Sequence, residues 1–513
     1  MLQFFINGLP LFFFFFFFFF ISFLVLKWLL NPPIQKNLPP SPPKLPILGN
    51  LHQLGLYPHR SLRSLAQCYG PLMQLRFGSI PVLVASSADV AREIMKTHDL
   101  TFSNRPKFNI ADKLLYEGQD VSTAPYGEYW RQMRSICVLQ LLSTKRVQSF
   151  RSVREEEIAI FAKKIKESAY LSSPVNLSET FASLTNDIVC RVALGRKYSE
   201  GKSGKKFKEL LGEFTELLGT FTVGDFIPWL GWVNVINGFD AKVEKIAKEF
   251  DTFLDEVVEE HMDTAKRRSN ANHRNVESED KKNFVDVLLK LQEDNMAGFS
   301  MTKVNIKALI LDMFAAGTDT TYTVLEWAMS ELLRHPRVMK EVQNEVRRIG
   351  NGKAEITEGD LDQMNFLKAV IKETLRLYPP IPLLVPRVST QDVKIKGYDV
   401  VAGSTVFTNA WAIGRDPGRW DQPEEFRPER FLNSSLDFKG HDFELIPFGA
   451  GRRGCPGILF AMTTNELVLA NLVNQFNWVL PCGASGKDLD MTECPGLTIH
   501  RKFPLLAIAT PRP

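Results

Sequence analysis

Residues able to do chemistry concentrate between Phe448 and Gly457, in the run FGAGRRGCPG. Gly449, Gly451 and Gly454 precede Cys455, and Gly457 follows it. A backbone so stripped of side chains can lie flat against a planar partner. From Ile458 to about Leu480 the text reads as an apolar helix. Cys455 therefore sits at a helix N-terminus, where free amides and the helix dipole favour a thiolate. A thiolate on a haem iron pushes electron density toward bound oxygen and favours O–O cleavage. Cys455 is thus expected to be the proximal ligand of a haem iron. A lone cysteine in a glycine-rich turn is more often a plain buried thiol, but here the glycines, the arginines and the helix start converge on it. The other cysteines (Cys68, Cys137, Cys190, Cys482, Cys494) are scattered with no CxxC pair, which indicates neither a disulfide framework nor a zinc site. CxxCH is absent as well, so a haem would be held without thioether bonds.

A second constellation is AGTDTT, Ala316 to Thr321, inside a long apolar stretch. Ala316 and Thr320 are four apart and share a helix face. Gly317 costs about 1 kcal/mol of helix propensity relative to alanine and asks for a reason. Asp319 and Thr320 can relay protons through water, which is general-acid work; read alone, a kink with threonine bonding back to a carbonyl is the simpler account. Glu373 and Arg376 stand three apart on one turn. As an exposed pair they would contribute only about 0.2–0.5 kcal/mol.

Taken together these residues resemble the cytochrome P450 family. Phe448, Gly451, Arg453, Cys455 and Gly457 match its F-x-x-G-x-R-x-C-x-G signature, and AGTDTT, ETLR (Glu373–Arg376) and PERF (Pro428–Phe431) follow its other patterns in order. The likeness covers essentially the whole chain and is greatest to plant microsomal members of the A-type group. It implies a mainly α fold with a small β-rich portion, a haem b with axial thiolate from Cys455, and a monooxygenase acting on O2. It implies that the helix is distorted at Gly317 to open a groove for dioxygen, and that Asp319 and Thr320 are the catalytic proton relay. Arg430 would join Glu373 and Arg376 in a buried structural network near the proximal side. Trp130 and Arg134 of WRQMR, Arg387 of LLVPR, and Arg453 would hold the haem propionates, with Phe448 beside the cofactor. The substrate pocket would come from about Thr101–Val121, Phe214–Phe226, Met313 and Ala316, Leu383–Val385 and the turn around Leu497. Most of these are apolar, which suits a small lipophilic plant metabolite such as a terpenoid, alkaloid, phenylpropanoid or coumarin.

The elements that must position these groups are legible in outline. A helix is expected from about Thr302 to His335, stopped by Pro336 and apolar on most sides. A second is expected to open at Thr357 with Asp360 as a capping-box partner, bury Leu361, Met364, Leu367, Ile371 and Leu375, and end at Pro379-Pro380. Leu51 to about Leu100 is strand-like, with MQLRFG and PVLVAS bounded by Gly70-Pro71 and Gly78. From about Val121 helices dominate. The run from about Lys266 to Lys282 reads as a solvated loop.

The chain divides into an anchor (1–30), a proline-rich hinge (31–50) and one large domain (51–513). Leu9 to Leu30 is almost wholly apolar, 22 residues against the roughly 20 that cross a bilayer. No positive charge precedes it and no A-x-A site follows, which argues against a cleaved signal. Lys27, Lys36 and Lys44 sit at its C-terminal end, so the positive-inside rule places the body in the cytosol, on a single-pass endoplasmic reticulum anchor. The N-x-S sequons at Asn176 and Asn433 are then not glycosylated. Prolines between Asn31 and Asn50 make a stiff spacer. A net charge of +4 does not suggest a nucleic-acid partner. No GxGxxG or flavin domain is evident, so electrons from NADPH must come through a separate reductase, with cytochrome b5 as a further partner. The resemblance places Arg452, Arg453 and Lys439 on its basic docking face. Rival readings are a haem-thiolate isomerase or dehydratase consuming a hydroperoxide without a reductase, and a non-enzymatic haem binder.

Overall fold

Apolar residues recur at helical spacing through most of the chain, and the computed structural model is accordingly built from helices. It describes residues 37–198, 201–270, 282–294 and 299–512, with five isolated helical positions between residues 15 and 23. Apart from those positions, the apolar anchor stretch lies outside the described residues. Among the described residues no helix is long and apolar enough to cross a membrane.

The helices that frame the site are α1 (Pro58–Tyr69), α2 (Glu128–Ile136), α3 (Arg151–Tyr170), α4 (Leu177–Leu194), α5 (Phe239–Asn270), α6 (Lys303–Arg334), α7 (Pro336–Gly350), α8 (Asn365–Leu377) and α9 (Ile458–Gln475). Helix α6 is the axle. Thr302 and Asn305 cap its start reciprocally, and His335 closes it before Pro336 opens α7. It is buried on nearly all sides along its second half, packing against α4, α8 and α9, with Trp327 fully buried. The sequon residue Asn176 caps α4 by accepting from Glu179 N.

Strands form two small sheets and a hairpin. They are β1 (Leu72–Phe77), β2 (Ile80–Ala85), β3 (Val175–Asn176), β4 (Arg387–Val388), β5 (Val393–Ile395), β6 (Tyr398–Val400), β7 (Thr405–Thr408), β8 (Phe476–Val479) and β9 (Leu506–Pro511). The larger sheet runs β1-β2-β7-β4 and is antiparallel except between β2 and β7. The β3-β9-β8 sheet is antiparallel throughout, and β5 pairs with β6. From Asn37 the proline-rich stretch rests on this framework: Gln74 N donates to Pro40 O at 2.9 Å and Arg76 N to the buried Asn50 side chain at 2.8 Å.

Several expected boundaries shift. The strand-like region begins with helix α1, and only MQLRFG and PVLVAS pair as strands. The Thr357–Asp360 capping box opens a separate 3₁₀ turn, Glu358–Gln363; Met364 then leaves helical geometry before α8 starts at Asn365. The helix after Cys455 stops at Gln475, because Phe476 adopts extended angles and its β-prone neighbours pair with β9. The expected loop from Lys266 is helical as far as Asn270, and residues 271–281 lie outside the described set.

Candidate active site

The Cys455 turn is fixed by close backbone approaches. Cys455 N donates to Phe448 O at 2.9 Å, closing the loop on itself. Gly451 takes a φ of +68°, and a Cβ there would meet Met95 O at 2.2 Å, so only glycine fits. Gly457 N donates to Cys455 Sγ at 3.3 Å, and Arg134 Nη2 donates to the adjacent Gly454 O at 2.6 Å. Burial raises the thiol pKa, while the Gly457 N–H and the Arg134 charge pull it down. Helix α9 begins at Ile458, where the sequence places it, and the Gly457 N–H just ahead of it is the amide that reaches the sulfur.

Cys455 lines a cavity with mostly apolar walls. Phe448, Trp130, Arg134, Arg387 and Arg453 line it too, so every cofactor-binding residue expected from sequence is gathered here. Arg453 is buried and stacks 4.2 Å over the Trp130 ring. It donates to Ser103 O at 2.7 Å and Ala124 O at 2.5 Å. Trp130 Nε1 donates to Val121 O at 3.0 Å. Arg387 donates to Ala450 O at 2.6 Å and lies 3.4 Å from Asp99.

Arg105, which sequence reading did not single out as a haem contact, joins them. It donates to Ser122 O at 2.9 Å, Val385 O at 2.7 Å and Pro386 O at 2.8 Å. Burial and the nearby Arg453 and Arg387 charges push its pKa well down, and burial with Arg387 and Arg134 takes Arg453 to about 9. Guanidiniums that depress one another beside a cavity call for an anion. A haem's two propionates, with a thiol placed for its iron, fit this donor set. Arg453 faces inward, so it cannot belong to an external docking face. Arg452 and Lys439 remain exposed, paired with Asp99 at 3.0 Å and Asp437 at 3.3 Å.

Glu373 and Arg376 are fully buried. Arg376 grips Glu373 with two bonds of 2.7 Å, and Arg430 Nε adds one of 3.0 Å. Arg376 also donates to Gly414 O and Pro423 O, and Arg427 N to Glu373. The network is satisfied on both partners, as burial requires.

Helix α6 supplies another wall through Asp312, Met313, Ala316, Gly317, Thr320 and Thr321. It is helical from end to end, Gly317 included. The glycine is explained by packing, since a Cβ would press to 3.3 Å from Val189 of α4. Thr320 Oγ1 donates to Ala316 O at 2.6 Å, the back-bonded arrangement. Asp319 is absent from the lining. Its carboxylate accepts from Thr498 Oγ1 and pairs with His500 Nε2 at 3.2 Å. Structure thus separates the two residues that the motif places side by side. Asp312, also missed, is a buried carboxylate in the lining whose pKa burial raises well up, with the nearby Asp120 charge adding to it; it accepts from Val121 N at 2.7 Å. Its one sequence signal is an acid inside the apolar run ALILDMF. Of the expected pocket stretches, Arg105, Val121, Met313, Ala316, Leu384 and Val385 line the cavity; Phe214–Phe226, Leu383 and Leu497 do not.

Comparison with known proteins agrees with this architecture. The family description "Cytochrome P450" matches residues 39–506. Cytochrome P450 736A117 of Prunus mume is 62% identical over 92% of this chain and 90% of its own. Tabersonine/lochnericine 19-hydroxylase of Catharanthus roseus is 51% identical over 99% and 98%. A zebra fish cytochrome P450 solved with abiraterone superposes with a TM-score of 0.74 at 25% identity, covering 89% of this chain and all of that one. The chain therefore belongs to the cytochrome P450 family, in the plant A-type group, and is a haem-thiolate monooxygenase.

Proposed function

We propose that this monooxygenase inserts one oxygen atom from O2 into a small lipophilic plant specialised metabolite, using NADPH electrons delivered by a separate flavoprotein reductase, with cytochrome b5 as a further donor. The observation that carries the reading is the division of one cavity. Cys455 and a ring of buried arginines occupy one part, and Thr320 faces it from α6. When bound, the haem supplies electron storage and dioxygen activation. The chain does the rest. Cys455 Sγ would bind the iron, and Trp130, Arg134, Arg387, Arg453 and Arg105 would hold the propionates. The apolar wall around Met313, Ala316 and Val385 excludes water and seats the substrate. Thr320 Oγ1 passes protons into the cavity, supplied by the neighbouring Asp319.

The name of the Catharanthus roseus relative supports keeping alkaloids beside terpenoids, phenylpropanoids and coumarins as substrate classes. The apolar stretch Leu9–Leu30 supports a single-pass anchor in the endoplasmic reticulum, the prolines of 31–50 a hinge, and residues 51–513 a cytosolic catalytic domain.

The test is microsomal expression with reductase, NADPH and a panel of these metabolites. Oxygenated product that requires reductase and is lost in Thr320→Ala is expected. Product formed from a hydroperoxide alone would instead indicate an isomerase or dehydratase.

A further inference from the structure

Asp319 does not face the cavity, and what holds it is informative. His500 Nδ1 lies 2.8 Å from Thr323 Oγ1, and that hydroxyl also lies 2.7 Å from Asp319 O. The Thr323 hydroxyl can donate to Nδ1 or accept from it. His500 Nε2 lies 3.2 Å from Asp319 Oδ1, and a carboxylate only accepts, so Nε2 is the nitrogen that carries a proton toward it. Both ring nitrogens thus have partners, and the carboxylate at Nε2 favours the charged ring. Its ring stacks on Tyr322, 4.7 Å between centroids and 5° from parallel. The side chain keeps 22% exposure, a route for exchange with solvent. The titratable groups facing it are Asp319, Tyr322 and Glu326 of α6. Glu326 is occupied by Arg501 N and Ser178 Oγ, which leaves Asp319 as the carboxylate in contact. Burial alone would lower the histidine's pKa, but the bond and charge of Asp319, helped by Glu326, raise it.

The next residue along α6, Thr320, opens into the cavity. Asp319, paired with His500, is thus the chain neighbour of a hydroxyl that lines the cavity. We propose that His500 is a positioning residue for Asp319 and the donor that recharges it. The Nε2–H proton passes to Asp319 Oδ1, the neutral carboxyl is released toward Thr320, and the imidazole takes its next proton from solvent. This rests on the reading of Asp319 and Thr320 as the acid and hydroxyl of one relay.

The test uses the full-length haem protein in microsomes with reductase and NADPH, without added metabolite. The share of consumed dioxygen released as hydrogen peroxide is measured between pH 6 and 9 for the wild type, His500→Gln, His500→Leu and Asp319→Asn, each checked for its carbon monoxide band. Glutamine keeps an N–H for Asp319 but cannot supply a proton. Both histidine variants are expected to release severalfold more peroxide at pH 6 and to lose the pH dependence of the wild type. Wild-type peroxide shares and pH profiles in both would overturn the proposal. If Asp319→Asn raises peroxide while neither histidine variant does, the His500 assignment alone fails. If Asp319→Asn also changes nothing, the relay fails and this inference with it. Thermal unfolding gives a readout independent of turnover. A raised histidine pKa stabilises fully below about pH 6.5 and is lost as pH rises through the folded value. The wild type's Tm advantage over His500→Leu should therefore shrink from pH 6 to 9, and an advantage that does not vary with pH would contradict the ion pair.

Discussion

On the Cys455 side of the cavity, the arginines are answered by backbone carbonyls. Arg376 and Glu373 satisfy each other three residues apart, and the turn closes on itself from Phe448 to Cys455. On the Thr320 side, the acid next to the key hydroxyl is answered from the far end of the chain, by Thr498 and His500. On one face the motif closes on itself and remote arginines tie it in place; on the other the acid is held by the C-terminal turn docking on α6. The first suits a rigid cradle for a cofactor. The second suits a group that must exchange protons, and a partner held from a separate segment can change contacts without unfolding the helix.

Breaking the cradle should cost the most. Arg376→Ala leaves the Glu373 charge buried with Arg430 as its remaining side-chain cation, a loss of about 3–5 kcal/mol. Denaturant unfolding and the yield of haem-loaded protein measure it, and a loss below about 1 kcal/mol, the size of an exposed pair, would contradict the network's importance. Thr320→Ala should fold normally yet lower product formed per NADPH by on the order of a hundredfold, with peroxide in its place; unchanged coupling would remove the hydroxyl from the relay.

The docking of the C-terminal turn can be probed by pH. Burial pushes Glu493 up, but the bonds from His59 at 3.0 Å and Arg60 at 3.0 Å win and hold it at about 2. A depressed carboxyl stabilises above its unfolded value of about 4.3, and that contribution disappears as pH falls through the folded one. Glu493→Gln should thus unfold more easily than the wild type at pH 7, with the gap closing toward pH 2. A constant gap would mean that the loss is steric. The smallest effect is expected at Arg337, which is 65% exposed and pairs with Glu341 and Glu429 at 2.6 Å. Arg337→Ala should change stability by less than about 1 kcal/mol and lose what effect it has in high salt.

The same contrast governs what could be read from the sequence. The Cys455 turn and the Glu373–Arg376 pair were legible because their chemistry is contiguous: glycine positions, a helix start, an i,i+3 spacing. Helix α6 was legible from its length, its apolar character and Pro336. Asp319 was found as a motif, but its orientation was not, since nothing between residues 319 and 500 announces that the two meet. Arg105 was missed because its partners are backbone carbonyls of remote loops, which leave no side-chain pattern. The end of α9 at Gln475 was missed because pairing with β9, about thirty residues on, overrides an apolar run that could continue as helix.

The central claim is that Cys455 is the thiolate ligand of the haem. Its most direct test is the reduced carbon monoxide spectrum of the wild type beside Cys455→Ser and Cys482→Ser. The account predicts a Soret band at about 450 nm in the wild type and in Cys482→Ser, and its loss in Cys455→Ser. A band typical of histidine ligation in the wild type, or a thiolate band that survives in Cys455→Ser, would contradict it.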